Sequence, residues 1–153
     1  MIEMYYEPII KALNKSKIKY LVVGGIAVNL YGLNRLTRDL DLMIDISEKN
    51  LSKFVHLMNT LGFGTKLSVD EWEGKVAIAF RHQKDQSRQV DIFVKNPIDF
   101  SAAYGRRKIL KLGKTKVSCI SFDDLLEMKE ISGRDRDLID MGYLKKYEQE
   151  GKM

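Results

Sequence analysis

The stretch Thr37-Arg38-Asp39-Leu40-Asp41-Leu42-Met43-Ile44-Asp45 constrains this chain more than any other. Apolar residues alternate with aspartates, and a period of two is the signature of a β-strand whose successive side chains face opposite ways. The strand is expected over 39–46, with Leu40, Leu42 and Ile44 in a core and Asp39, Asp41, Met43 and Asp45 on the other face. Asp39 and Asp41 then stand about 6.6 Å apart along the strand, while Asp45, about 13 Å beyond Asp41, serves the surface or the strand end. Two carboxylates converging from that distance can bridge divalent ions spaced about 3.5–4 Å. A strand with one merely solvated face is the alternative. A second strand, Gln89-Val90-Asp91-Ile92-Phe93-Val94, favours the metal, because it places another aspartate inside an apolar run. Aspartate is disfavoured in strands. If this strand pairs beside the first, three carboxylates meet, and a bound cation is the simplest way to offset their repulsion.

The remaining chain supplies a frame. Helical spacing predicts a helix over 2–14, and Lys19 to Val23 reads as a buried strand ending at Gly24-Gly25. Glycines at a strand-to-helix turn let backbone approach a ligand, and the following helix, 26–31, would favour an anion at its start. Ser47 is a plausible cap for a helix to about Leu61. Strands are expected over 75–81 and 88–94 as an antiparallel pair, and over 108–112 and 115–120 as a hairpin turning at Gly113-Lys114. Ser121 or Asp123 would cap a helix to about Ile131, a second helix would run over 134–149, and the charged tail from Lys145 would fray. This order predicts an α/β (α+β) fold, a mixed sheet flanked by helices with a helical C-terminus. No linker or repeat divides the 153 residues, which suit one domain, 1–153.

No apolar run approaches the roughly 20 residues of a membrane span, and no signal-peptide pattern opens the chain, so a cytoplasmic protein is expected. The single cysteine, Cys119, excludes an intrachain disulfide and reads as a buried strand residue. Net charge is +5, a balance that favours polyanionic partners. Arg106, Arg107, Lys108, Lys111, Lys114 and Lys116 carry no compensating acid between Phe100 and Phe122. They are either a solvated hairpin surface or a positive rim near the carboxylates that contacts a polyanion.

Taken together, Gly24-Gly25-x-Ala27, Arg35-x-Thr37-Arg38-Asp39-x-Asp41 and Val90-Asp91 resemble the polymerase-β-type nucleotidyltransferase superfamily, and most closely its minimal stand-alone bacterial and archaeal members. These include toxin nucleotidyltransferases of the AbiEii and MenT kind. The resemblance runs from about Lys19 to Asp140 and implies a nucleotidyltransferase-type sheet. It also implies transfer of a nucleoside monophosphate from an NTP to an acceptor hydroxyl on RNA, tRNA, a protein or a small molecule. By the same resemblance Asp39, Asp41 and Asp91 are catalytic and hold two Mg²⁺ ions, with Mn²⁺ as a substitute. Gly24, Gly25, Arg38 and Lys129 bind nucleotide, and a cognate antitoxin protein is a partner. The segment Leu126-x-x-Lys129…Gly133-Arg134-x-x-Asp137-Leu138-x-Asp140 resembles the later motif of these enzymes, with Asp137 or Asp140 fixing the helices. Ile26 stands where many of them carry Ser or Thr. It leaves a second reading, a catalytically impaired module that binds a protein or nucleic acid.

Other residues read more plainly. Arg136 and Asp140 are spaced for a helical ion pair, and Arg35 could steer a polyanion. His56 reads as partly buried, and Tyr5, Tyr6, Tyr20 and Tyr31 as packing residues. Trp72, inside Asp70-Glu71-Trp72-Glu73, reads as a loop residue, with contact to a partner or substrate as the alternative.

Overall fold

The structure, a computed structural model, describes residues 6–151. Among these, seven strands form one mixed sheet in the order β3-β4-β5-β2-β1-β7-β6. The strands are β1 (Tyr20–Val23), β2 (Asp39–Ile44), β3 (Phe63–Gly64), β4 (Ala77–His82), β5 (Gln89–Phe93), β6 (Lys108–Leu112) and β7 (Thr115–Cys119). The helices are α1 (Tyr6–Lys15), α2 (Gly24–Leu30), α3 (Glu48–Thr60), α4 (Phe100–Gly105), α5 (Phe122–Ser132) and α6 (Asp135–Gln149).

The alternation in β2 orients the sheet. β2 is the central strand, antiparallel to β1 and parallel to β5. Leu40 and Leu42 lie beside Val90 and Ile92, and Val90 in turn lies beside Phe80 of β4. All five are buried. α3 covers this face, with Phe54 meeting Phe80 edge to face at 5.5 Å between ring centres. Asn50 of α3 is buried and ties the helix to the strand ends, accepting from Lys19 N and donating to Asp45 O. The odd-numbered residues of β2 and β5 face the other way, towards α5 and α6. Met43 is fully buried there, so this face is covered rather than solvated.

The strands, the hairpin and the helices over 47–61, 121–131 and 134–149 lie within two or three residues of their expected bounds. Ser121 caps α5, accepting from Asp124 N. Ser47 occupies the cap position of α3 without a side-chain bond; instead Asp45 Oδ1 accepts from Ser47 N. The start of the expected helix over 2–14, and with it Tyr5, lies outside the described residues.

α4 and the short β3 carry no periodicity long enough to announce them. Trp72 is not open to a partner: it is buried in a 3-10 turn, Val69–Trp72, edge-on to Phe80. His56 is exposed, and the tail stays helical to Gln149.

Candidate active site

The parallel pairing of β2 and β5 sets Asp41 directly beside Asp91, while Asp39 lies beside Gln89. Side chains at i and i+2 share a face, so Asp39, Asp41 and Asp91 stand on one wall. The wall lines a cleft of about 640 Å³ whose far side is built from α5 and α6. Ala77 and Ala79 of β4 lie beside Phe93 and Asp91, and their small side chains keep this part of the sheet low.

The first glycine of the turn is a spatial requirement of this wall. Gly24 has φ +66°, and a β-carbon there would run into Asp41 Oδ2 and lie 3.0 Å from Asp41 Cβ and Cγ. Gly25 is buried; a β-carbon on it would lie 2.8 Å from Thr37 Oγ1. The turn therefore lets the Asp41 carboxylate and the Thr37 hydroxyl come up against the backbone. Ile26, where a hydroxyl was missed, is a core residue at 1% exposure.

The carboxylates are electrostatically coupled. Asp41 is pushed up to about 7, first by desolvation, then by the charges of Asp91 and Asp39 and a hydrogen bond with Asp91, with Arg136 acting in the opposite sense. Asp39 is also raised, by desolvation and by Asp91, against Arg81 and Arg38. Gln89 orients Asp91, its Nε2 donating to Asp91 Oδ1 at 2.8 Å, and Arg81 Nε in turn donates to Gln89 Oε1 at 2.9 Å. Gln89 was missed by sequence reasoning, although its place two residues before Asp91 on the same face was a usable signal. Among the described residues no three carboxylate, imidazole or thiol groups are closed into a metal-holding cluster. The donor set nonetheless fits a hard divalent cation: oxygen ligands only, on a partly desolvated wall whose like charges oppose one another unless a cation compensates them.

A second lobe of about 310 Å³ adjoins the same carboxylates and is lined by Gly24, Gly25, Arg35, Thr37 and Arg38, with Arg134 and Arg136 shared between the lobes. The sequence motif around Lys129 resolves into a buried ion network. Lys129 is 4% exposed, and its Nζ lies 3.3 Å from Asp137 Oδ1 and 3.1 Å from Asp140 Oδ2. Arg35 Nη1 reaches the same Asp140 oxygen at 2.6 Å. Asp137 also accepts from Arg134 and Ser132. Burial alone would raise the Asp137 carboxyl, but these bonds and the charge of Lys129 hold it down at about 2. Lys129 is thus engaged by two carboxylates, and Asp140 pairs with Lys129 and Arg35 rather than with Arg136.

The basic hairpin does not form a rim on the cleft. β6 is the sheet edge, three strands from β2, or roughly 14 Å at about 4.8 Å per strand. None of its cations lines either lobe. Arg106 forms a two-pronged pair with Asp124, both contacts at 3.0 Å, and Arg107 stacks on Tyr104 at 3.9 Å. Lysines along an exposed edge strand discourage pairing with another chain.

A carboxylate wall on adjacent central strands, a glycine turn and a flanking cationic lobe define a nucleotidyltransferase, and solved structures of that class share the fold. The lincosamide antibiotic adenylyltransferase LnuA, solved with lincomycin, superposes with a TM-score of 0.68 at 20% identity, covering 95% of this chain and 97% of that one. ANT(2″)-Ia, solved with adenylyl-2″-tobramycin, superposes with 0.64 at 11% identity, covering 92% and 85%. An antigenic nucleotidyltransferase-like protein from Paracoccidioides brasiliensis gives 0.58 at 21% identity, covering 90% and 72%. No curated protein matches by sequence. The chain belongs to the aminoglycoside-2″-adenylyltransferase family, which matches residues 7–144, and is an enzyme of the nucleotidyltransferase class. No helix among the described residues is long and apolar enough to cross a membrane.

Proposed function

We propose that residues 1–153 act as one domain that transfers a nucleoside monophosphate, AMP in the first place, from an NTP to a hydroxyl of a small-molecule acceptor. The observation that carries this is the Asp39–Asp41–Asp91 wall facing a cleft whose neighbouring lobe is lined by arginines. Asp39, Asp41 and Asp91 would hold two Mg²⁺ ions, with Mn²⁺ as a substitute. When bound, such ions stabilise charge on the entering and leaving oxygens. Gly24, Gly25 and Arg38 receive the triphosphate. Lys129, held by Asp137 and Asp140, acts on the nucleotide by keeping α5 and α6 against the lobe. Asp91, steadied by Gln89, takes the proton as the acceptor oxygen bonds to the α-phosphorus. The bond from that phosphorus to the bridging oxygen breaks, pyrophosphate leaves, and Arg38 and Arg136, which line the lobe, balance its charge.

The family match and the antibiotic adenylyltransferase folds favour a small-molecule acceptor. Nothing in them supports the RNA or tRNA acceptor, the antitoxin partner or the toxin role, and the basic hairpin lies away from the cleft. The test is incubation with α-labelled ATP, Mg²⁺ and a panel of hydroxylated antibiotics, scoring labelled product and pyrophosphate. Label should transfer to an acceptor in the native protein and vanish with EDTA or with Asp39→Asn plus Asp41→Asn. Label retained in the double variant would place the chemistry elsewhere, and no transfer to any acceptor when the panel is repeated with each α-labelled NTP would leave the impaired-module reading.

A further inference from the structure

Resting on that nucleotidyl-transfer reading, we infer that the acceptor has an apolar body and at most one positive charge, and is not the polyamine that the family's name implies. The two lobes differ in chemistry. The glycine-turn lobe alone is lined by Arg35 and Arg38, whereas Lys129, Arg134 and Arg136 line both lobes. The lobe on the Asp91 side, where an acceptor hydroxyl must sit to lose its proton, is lined by Val76, Ala77, Phe93, Pro97, Met128 and Ile131. Val76 and Ile131 are each 56% exposed, so apolar surface is held open at the cleft instead of being packed away. A cleft lined this way recognises an apolar ligand body and orients it with a few polar groups.

A polyamine needs carboxylates to receive its ammonium groups, and this cleft has none to spare. Its acidic lining residues are Asp39, Asp41, Asp91 and Asp137. The first three are committed to metal and proton. Asp137 is engaged by Lys129, Arg134 and Ser132. Arg136 lines both lobes and repels further positive charge. The net charge of +5 also opposes long-range steering of a polycation.

The experiment uses calorimetric titration of the full chain with Mg²⁺ and a non-transferable α,β-methylene ATP. The acceptor probes are lincomycin, hydroxylated and monobasic, and tobramycin, a polyamine. Lincomycin should bind at least about tenfold more tightly, the scale on which a hydrophobic pocket discriminates. Val76→Glu with Ile131→Glu, both at exposed positions, should weaken lincomycin, strengthen tobramycin and leave the ATP analogue unchanged. Unchanged analogue binding also shows that the variant folds. Tighter tobramycin, or no lincomycin binding, in a native protein that binds the analogue overturns this inference alone. A variant that loses the analogue but keeps lincomycin also overturns it, because the lobe then holds the nucleobase. If the native protein fails to bind the analogue at all, the nucleotidyl-transfer reading falls, and this inference with it.

Discussion

Gly24→Ala separates the two demands that the turn makes on residue 24. The first is backbone. At φ +66° a residue with a β-carbon pays about 1–2 kcal/mol for the left-handed conformation, partly offset by about 0.4–1 kcal/mol from a less disordered unfolded chain. The second is space. The new methyl would overlap Asp41 Oδ2 and crowd Asp41 Cβ and Cγ at 3.0 Å, so turning the carboxylate tip is not enough. Asp41 must leave its rotamer, at about 0.5–1.5 kcal/mol, or β2 must shift. The net expectation is a loss of about 1–3 kcal/mol, read as a lower urea midpoint. Because a displacement of about 1 Å at a reacting centre can cost about 100-fold, nucleotidyl transfer should fall by that order. Gly74→Ala is the control: its φ is +81° but its methyl meets nothing within 4 Å. It should lose stability through the backbone alone and keep its transfer rate. If both variants lose similar stability and both keep full activity, the close approach of Gly24 to Asp41 does not matter to the chemistry.

Two further outcomes follow from the charges. Asp137, held at about 2 in the folded protein, stabilises the fold by about 2 kcal/mol at neutral pH relative to an ordinary carboxyl near 3.8. A depressed carboxylate contributes fully above its unfolded value and loses that contribution as pH falls through the folded one. The stability gap between the native protein and Asp137→Asn in urea titrations should therefore be wide at pH 6 and close between pH 4 and 2; a gap independent of pH would refute the assignment. Converting Lys111, Lys114 and Lys116 to Ala should leave transfer to a small acceptor unchanged in the labelling assay, whereas a large loss would return the hairpin to the acceptor site.

Local order along this chain was legible wherever one physical rule acts over a few residues. The alternation through Asp39–Ile44 forces a strand with carboxylates on one face, because a slip of one residue would drive both aspartates into the apolar core under α3 and turn the leucines towards the cleft. The same reasoning located β5 with its anomalous Asp91, and the Gly24-Gly25 turn. Neighbourhood was not legible. That β5 lies parallel to β2 with Asp91 beside Asp41, and that the lysine-rich hairpin lies at the far edge, depends on strand order. Strand order is settled by contacts between distant segments and leaves no period in the sequence. Charge pairing failed for the same reason. Spacing along a helix suggested Arg136 for Asp140, but folding brought Arg35 to it from 105 positions away. Lys129 likewise looked available to a phosphate until α6 folded back and set two carboxylates on it. The sequence by itself determined which strand face carries the carboxylates and which carries the apolar core residues, since both depend on residue type and local period. Tertiary structure alone decided which charges remain open to a ligand, because a charge is open only when no other segment arrives to neutralise it.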